Sequence, residues 1–112
     1  NPIDRLTIAG GFGKISKLAA GHMDLHSKRS QVDPKFLADI AQQAGIESDI
    51  VAKIVQADTA SQILIVADKE RRRLGDAVAS RAREVAADTL RDTTVIDVRI
   101  YDRAGAEVGA AE

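Results

Sequence analysis

Residues 5–21 read RLTIAGGFGKISKLAAG, and the change of character at the glycines decides the fold. Residues 5–9 are a short β-rich run that stops at Gly10-Gly11, which predicts a strand. Gly10, Gly11, Phe12 and Gly13 then read as a glycine loop. Beyond it Ile15, Leu18 and Ala19 recur at helical spacing and share one face, while Lys14 and Lys17 share another. The spacing predicts a helix over 14–20, closed by Gly21 in a left-handed conformation. The chain therefore opens as strand, glycine loop, helix.

Further along, Asp33-Pro34 pairs an N-cap with a proline at the first helical position and starts a helix over 34–44 that stops at Gly45. Ser48 reads as the cap of a helix to about residue 57, with Ile50, Val51, Ile54 and Val55 inward. Thr59 and Gln62 form a capping box ahead of the apolar run 63–67. That run suits either a buried strand or a helix, and the cap favours helix. Residues 69–73 are a charge run read as a solvated turn. The longest periodic element is 74–90, with Leu74, Val78, Ala82, Val85, Ala86 and Thr89 on an alanine-rich stripe fit for close helix packing. In 94–101 Ile96, Val98 and Ile100 alternate with Asp97, Arg99 and Tyr101, the pattern of a half-buried strand. Residues 102–105 are a turn, and 106–112 a tail or short return strand.

A strand, a helical crossover and a second strand predict an α/β fold: a parallel pair in a partial sheet covered by helices. Two strands make a poor sheet, so further strands are expected upstream or from a partner chain. The 112 residues suit a single domain over 1–112, and 45% apolar residues suffice for a core.

Composition excludes several functions. Sixteen Lys and Arg against 17 Asp and Glu give a net charge of −1, so no overall field draws in nucleic acid or an anionic membrane. Aromatics are 3%, which argues against base-stacking platforms. The absence of Cys removes thiolate metal sites and cysteine nucleophiles. No apolar run approaches the ~20 residues that span a bilayer, and a cytoplasmic protein is expected.

Charge is nevertheless uneven. Residues 10–30 hold Lys14, Lys17, Lys28 and Arg29 against Asp24 alone, a local charge of +3. A strand that turns through glycines into a helix offers free backbone N–H groups backed by the helix dipole, an arrangement suited to phosphate or carboxylate. The run matches neither a P-loop nor a dinucleotide fingerprint. His22, Asp24 and His26 alternate, but a bare H-x-D-x-H is weak as a metal motif, so structural or ligand-contacting roles are favoured and no metal is expected. Ser27 beside His26 is no dyad, since neighbours on a strand face opposite ways. No catalytic residue is assigned.

Taken as a block, residues 10–33 resemble the cobalt-precorrin-5B C1-methyltransferase family (CbiD). The resemblance is carried by Gly11, Gly13, Lys14, Lys17, Leu18, Ala19, Gly21, His26, Ser27 and Asp33, and more loosely by the later helices and the strand ending Tyr-Asp-Arg-Ala-Gly. It implies the C-terminal third of an enzyme that transfers a methyl group from S-adenosylmethionine to C1 of a cobalt-precorrin in anaerobic cobalamin biosynthesis. Such a piece is expected to be inactive alone, and to form a homo-oligomer or pair with the N-terminal region. The residues expected to face one anion-binding cleft, for the carboxylate arms of the corrin or for the methyl donor, are Gly10, Gly11, Gly13, Lys14, Lys17, His26 and Ser27. The residues themselves leave two other readings open: a phosphate- or nucleotide-binding α/β module, and a non-catalytic assembly domain using helix 74–90.

Overall fold

The computed structural model describes residues 5–21, 32–90 and 95–112. Strand β1 (Arg5–Gly11) runs directly into helix α1 (Phe12–Ala19), with no intervening loop. The expected glycine loop is divided between two elements: Gly10 and Gly11 finish the strand, and Phe12 and Gly13 begin the helix. Phe12 is buried in the core, and Ser16 donates a hydrogen bond from its hydroxyl to the Phe12 carbonyl at 2.6 Å, which secures the first turn. Gly21 ends the unit as expected. Its φ of +89° is in the left-handed region that side chains disfavour, and its N–H returns to the Leu18 carbonyl.

Helix α2 (Pro34–Gln43) begins on Asp33, whose carboxylate accepts from the N–H groups of Lys35 and Phe36 at 3.1 and 3.2 Å. Helix α3 (Ser48–Gln56) corrects one expectation. Glu47 holds the cap position in extended conformation, and Ser48 is the first helical residue with no side-chain cap bond. Of its four predicted inward residues, Ile50 and Ile54 are buried, Val51 is half-buried and Val55 is exposed.

The ambiguous run 63–67 falls in helix α4 (Ala60–Ala67). Thr59 accepts from the Gln62 N–H at 3.1 Å, and the Gln62 side chain accepts in return from the Asp58 N–H at 3.2 Å. Two donors that a strand would leave to water are thereby satisfied, and the β-branched run is held helical. The charge run is solvated as expected but is no turn. A short 3-10 segment, Asp68–Glu70, leads into helix α5 (Arg71–Leu90), so Arg71, Arg72 and Arg73 are its first residues. Leu74, Val78, Ala82 and Ala86 face inward; Thr89 does not.

Strand β2 (Val95–Tyr101) pairs in parallel with β1 from Arg5↔Val95 to Gly11↔Tyr101. Its other edge pairs antiparallel with β3 (Glu107–Ala111), the short return strand. The third strand comes from this chain's own 106–112 segment. Helices cover the face that carries Ile96, Val98 and Ile100. The opposite face of β1 and β2 is polar. There Asp97 accepts from the Thr7 hydroxyl at 2.8 Å, with Arg5 and Arg99 beside it at 3.3 and 3.5 Å. The Thr7 hydrogen bond, helped by the two guanidinium groups, holds the Asp97 carboxyl below its ordinary pKa against the opposing effect of burial.

Helix α5 packs on β3 backbone to backbone. A Cβ on Gly75 would fall on the Val108 carbonyl, and one on Gly109 would fall on the Gly75 backbone. This contact sets the distance between the helical layer and the sheet.

Candidate functional site

The parallel pair fixes where a ligand site can form. β1 and β2 end together, at Gly11 and Tyr101, and the crevice beyond the carboxyl ends of parallel strands is the usual binding position in an open α/β sheet. A pocket of about 470 Å³ occupies that position. Its floor is Gly11, Phe12 and Gly13 at the strand-to-helix junction. Ala60, Ser61, Leu64 and Ile65 of α4 form one wall, Tyr101 to Ala104 form the other, and Arg71 stands at the start of α5. Two helix N-termini, those of α1 and α4, therefore border one cavity. α1 has no side-chain cap and no acidic residue in its first turn, so nothing on this helix competes for its free N–H groups.

The walls are mostly apolar. Ile65 is 70% exposed although it belongs to an apolar run, because its side chain borders the cavity instead of the core. Asp102 is the one acid lining the pocket. Its carboxylate accepts from the N–H groups of Ala104 and Ala106, both at 2.9 Å, and so is engaged in shaping the 102–106 turn.

The structure brings together only part of the predicted site. Gly11 and Gly13 line the pocket, and Gly13 lies where α1 meets α4: a Cβ there would sit 3.3 Å from Ala60. Gly10 sits one residue back in β1, packed against Lys14 and Ile15. Lys14 is exposed on α1, and Lys17 is half-buried in its last turn; neither lines the pocket. His26 and Ser27 lie outside the described residues, as do His22, Asp24, Lys28 and Arg29. Sequence reasoning missed Arg71, which it placed in a solvated turn, and Arg103, Leu64 and Ile65. No periodic signal marks them. Arg103 arrives because the parallel register brings the turn after β2 beside the end of β1, while α4 and the start of α5 bring the other three.

Among the described residues no helix is long and apolar enough to cross a membrane. Comparison with known proteins matches residues 24–112 to the family described as CbiD, C-terminal domain. A cobalt-precorrin-5B C(1)-methyltransferase of Paraburkholderia phymatum is 44% identical over 111 residues, covering 98% of this chain and 30% of that protein. One of Brucella ovis is 45% identical over 106 residues, 94% of this chain and 29% of the relative. One of Pseudomonas putida is 44% identical over 110 residues, with coverage of 98% and 30%. The chain thus spans about 30% of the length of the relatives it matches. No solved structure matches it.

Proposed function

This chain belongs to the CbiD C-terminal domain family, and on that premise we propose that it serves as the C-terminal part of an S-adenosylmethionine-dependent methyltransferase acting at C1 of cobalt-precorrin-5B. The single observation that carries this reading into the structure is the position of the family-like glycines at the strand-to-helix junction. Gly11 and Gly13, two residues of the resembling block, floor the pocket at the carboxyl ends of the parallel strands.

Methyl transfer to carbon forms a C–C bond as the sulfonium C–S bond breaks, and the sulfur keeps the electron pair. Such a reaction depends on holding donor and acceptor in line more than on an acid–base pair. The contribution of this chain is binding and orientation. Free N–H groups of the α1 first turn donate to a carboxylate, and the apolar α4 wall excludes water from the ligand's body. Lys14 and Lys17 add positive charge along the same helix. With Gly10, His26 and Ser27 they complete the ligand-binding set we assign to the full enzyme. The setting is a cytoplasmic biosynthetic enzyme with a small-molecule substrate.

The alternatives have less support. A phosphate cradle is less well matched by a pocket walled with Leu64, Ile65 and Phe12. An assembly surface on the alanine stripe of α5 is not available, since Ala79, Ala82 and Ala86 are buried inside this chain.

The test is a chimera in which this chain replaces the matching 106 residues of the Brucella ovis relative. We expect methyl incorporation from S-adenosylmethionine into cobalt-precorrin-5B. A chimera that melts cooperatively yet transfers no methyl group would overturn the reading.

A further inference from the structure

Two arginines of the described chain have no partner. Arg5, Arg72, Arg73, Arg81 and Arg99 each pair with a carboxylate, and Arg83 donates to the Ile96 carbonyl at 2.8 Å. Arg71 and Arg103 alone among the described arginines make no ion pair or side-chain hydrogen bond, and both line the pocket at the strand ends. One comes from the start of α5 and one from the turn after β2. The acid in the lining, Asp102, makes no ion pair with either, and its Oδ1 accepts from two backbone N–H groups, so the pocket holds two guanidinium groups against one carboxylate. Phe12, Leu64, Ile65 and Tyr101 supply apolar surface to the same pocket.

We propose that Arg71 and Arg103 clamp two carboxylates of one ligand whose body is apolar, and that the pocket therefore takes the polycarboxylate corrin and not the methyl donor. A guanidinium group presents a planar fork that matches a carboxylate. Two such forks in one apolar-lined pocket match a rigid ring with acid arms at its rim. S-adenosylmethionine is a poorer match, because it offers one carboxylate beside two positive centres, and a second arginine would repel them. The assignment rests on the reading of this pocket as the ligand site, and it adds to that reading which ligand enters and which side chains select it.

The test uses cobyrinic acid, a corrin with free carboxylate arms, and cobinamide, in which the arms are amides. Binding of each, and of S-adenosylmethionine and inorganic phosphate, is measured by calorimetry on the wild-type chain and on Arg71→Gln, Arg103→Gln and the double variant. Each single change removes one charge-assisted contact and should weaken cobyrinic acid about ten- to a hundredfold, with a further loss in the double variant. Cobinamide should bind weakly and equally to all four proteins. The melting points should not move, because both side chains are exposed. Equal affinity of cobyrinic acid for wild type and the double variant overturns the clamp while leaving the pocket intact as a site. Equal loss of cobinamide, or phosphate binding as tight as that of the corrin, overturns the claim of ligand selection. Failure of wild type to bind cobyrinic acid at all removes both the clamp and the pocket reading beneath it.

Discussion

Phe12→Ala is expected to cost about 3–5 kcal/mol of folding stability, the range for emptying a buried aromatic site. The side chain is 2% exposed and belongs to the main core cluster, although its residue opens a helix at the mouth of a pocket. α1 has only eight residues and is too short to hold itself together in water, so its helical state depends on this anchor and on Ile15 and Leu18 packed against α5. Urea unfolding monitored by far-ultraviolet circular dichroism gives the value. A loss below about 0.5 kcal/mol, the usual size for a surface change, would mean that Phe12 stays in an exposed glycine loop and that α1 starts later.

Gly75→Ala is expected to destabilise the chain by about 2 kcal/mol or more, against the sign that helix propensity alone predicts. Alanine is worth about 1 kcal/mol more than glycine inside a helix. Here the added Cβ lands on the Val108 carbonyl, and overpacking of this kind costs up to about 3 kcal/mol. No flexible side chain is available to move aside, because both contacting groups are backbone. The layers would have to separate along α5 and β3, and the thermal midpoint should fall by roughly 8–16 °C. Gly109→Ala should behave alike, and the pair should be non-additive because one contact is being destroyed twice. A Gly75→Ala protein that melts at or above wild type would show that α5 and β3 do not meet backbone to backbone.

These two positions also show what the sequence could and could not convey. Periodicity located the helices and the alternating strand because one buried face repeats along each of them. The capping box settled the run 63–67, since Thr59 and Gln62 state a local hydrogen-bonding preference that outweighs β-branching. Gly75 carried no such mark. Its reason is a strand more than thirty residues later, and a glycine inside a helical pattern looks like a small local cost. Phe12 was misplaced for the opposite reason: flanking glycines suggest a loop wherever they stand, and here they let strand and helix join without one. The candidate site was half legible. Gly11 and Gly13 stood out as a turn. Arg71 and Arg103 lie far from it in the chain: the parallel register of β1 and β2 brings the turn with Arg103 to the cavity, and the start of α5 brings Arg71. Lys14 and Lys17 were selected by the local charge, the helix start and the family-like block, and neither lines the pocket.

The central claim is that the crevice at the ends of β1 and β2 is where this chain holds a carboxylate-bearing corrin. It is tested most directly by titrating the isotope-labelled chain with cobyrinic acid and following its backbone amide resonances. The account predicts saturable shifts centred on Gly11, Gly13, Ser61 and Ala104, around the rim of one cavity. Shifts centred instead on Gln43, Ala44 and Ser80, which line a separate hollow between α2 and α5, would contradict it.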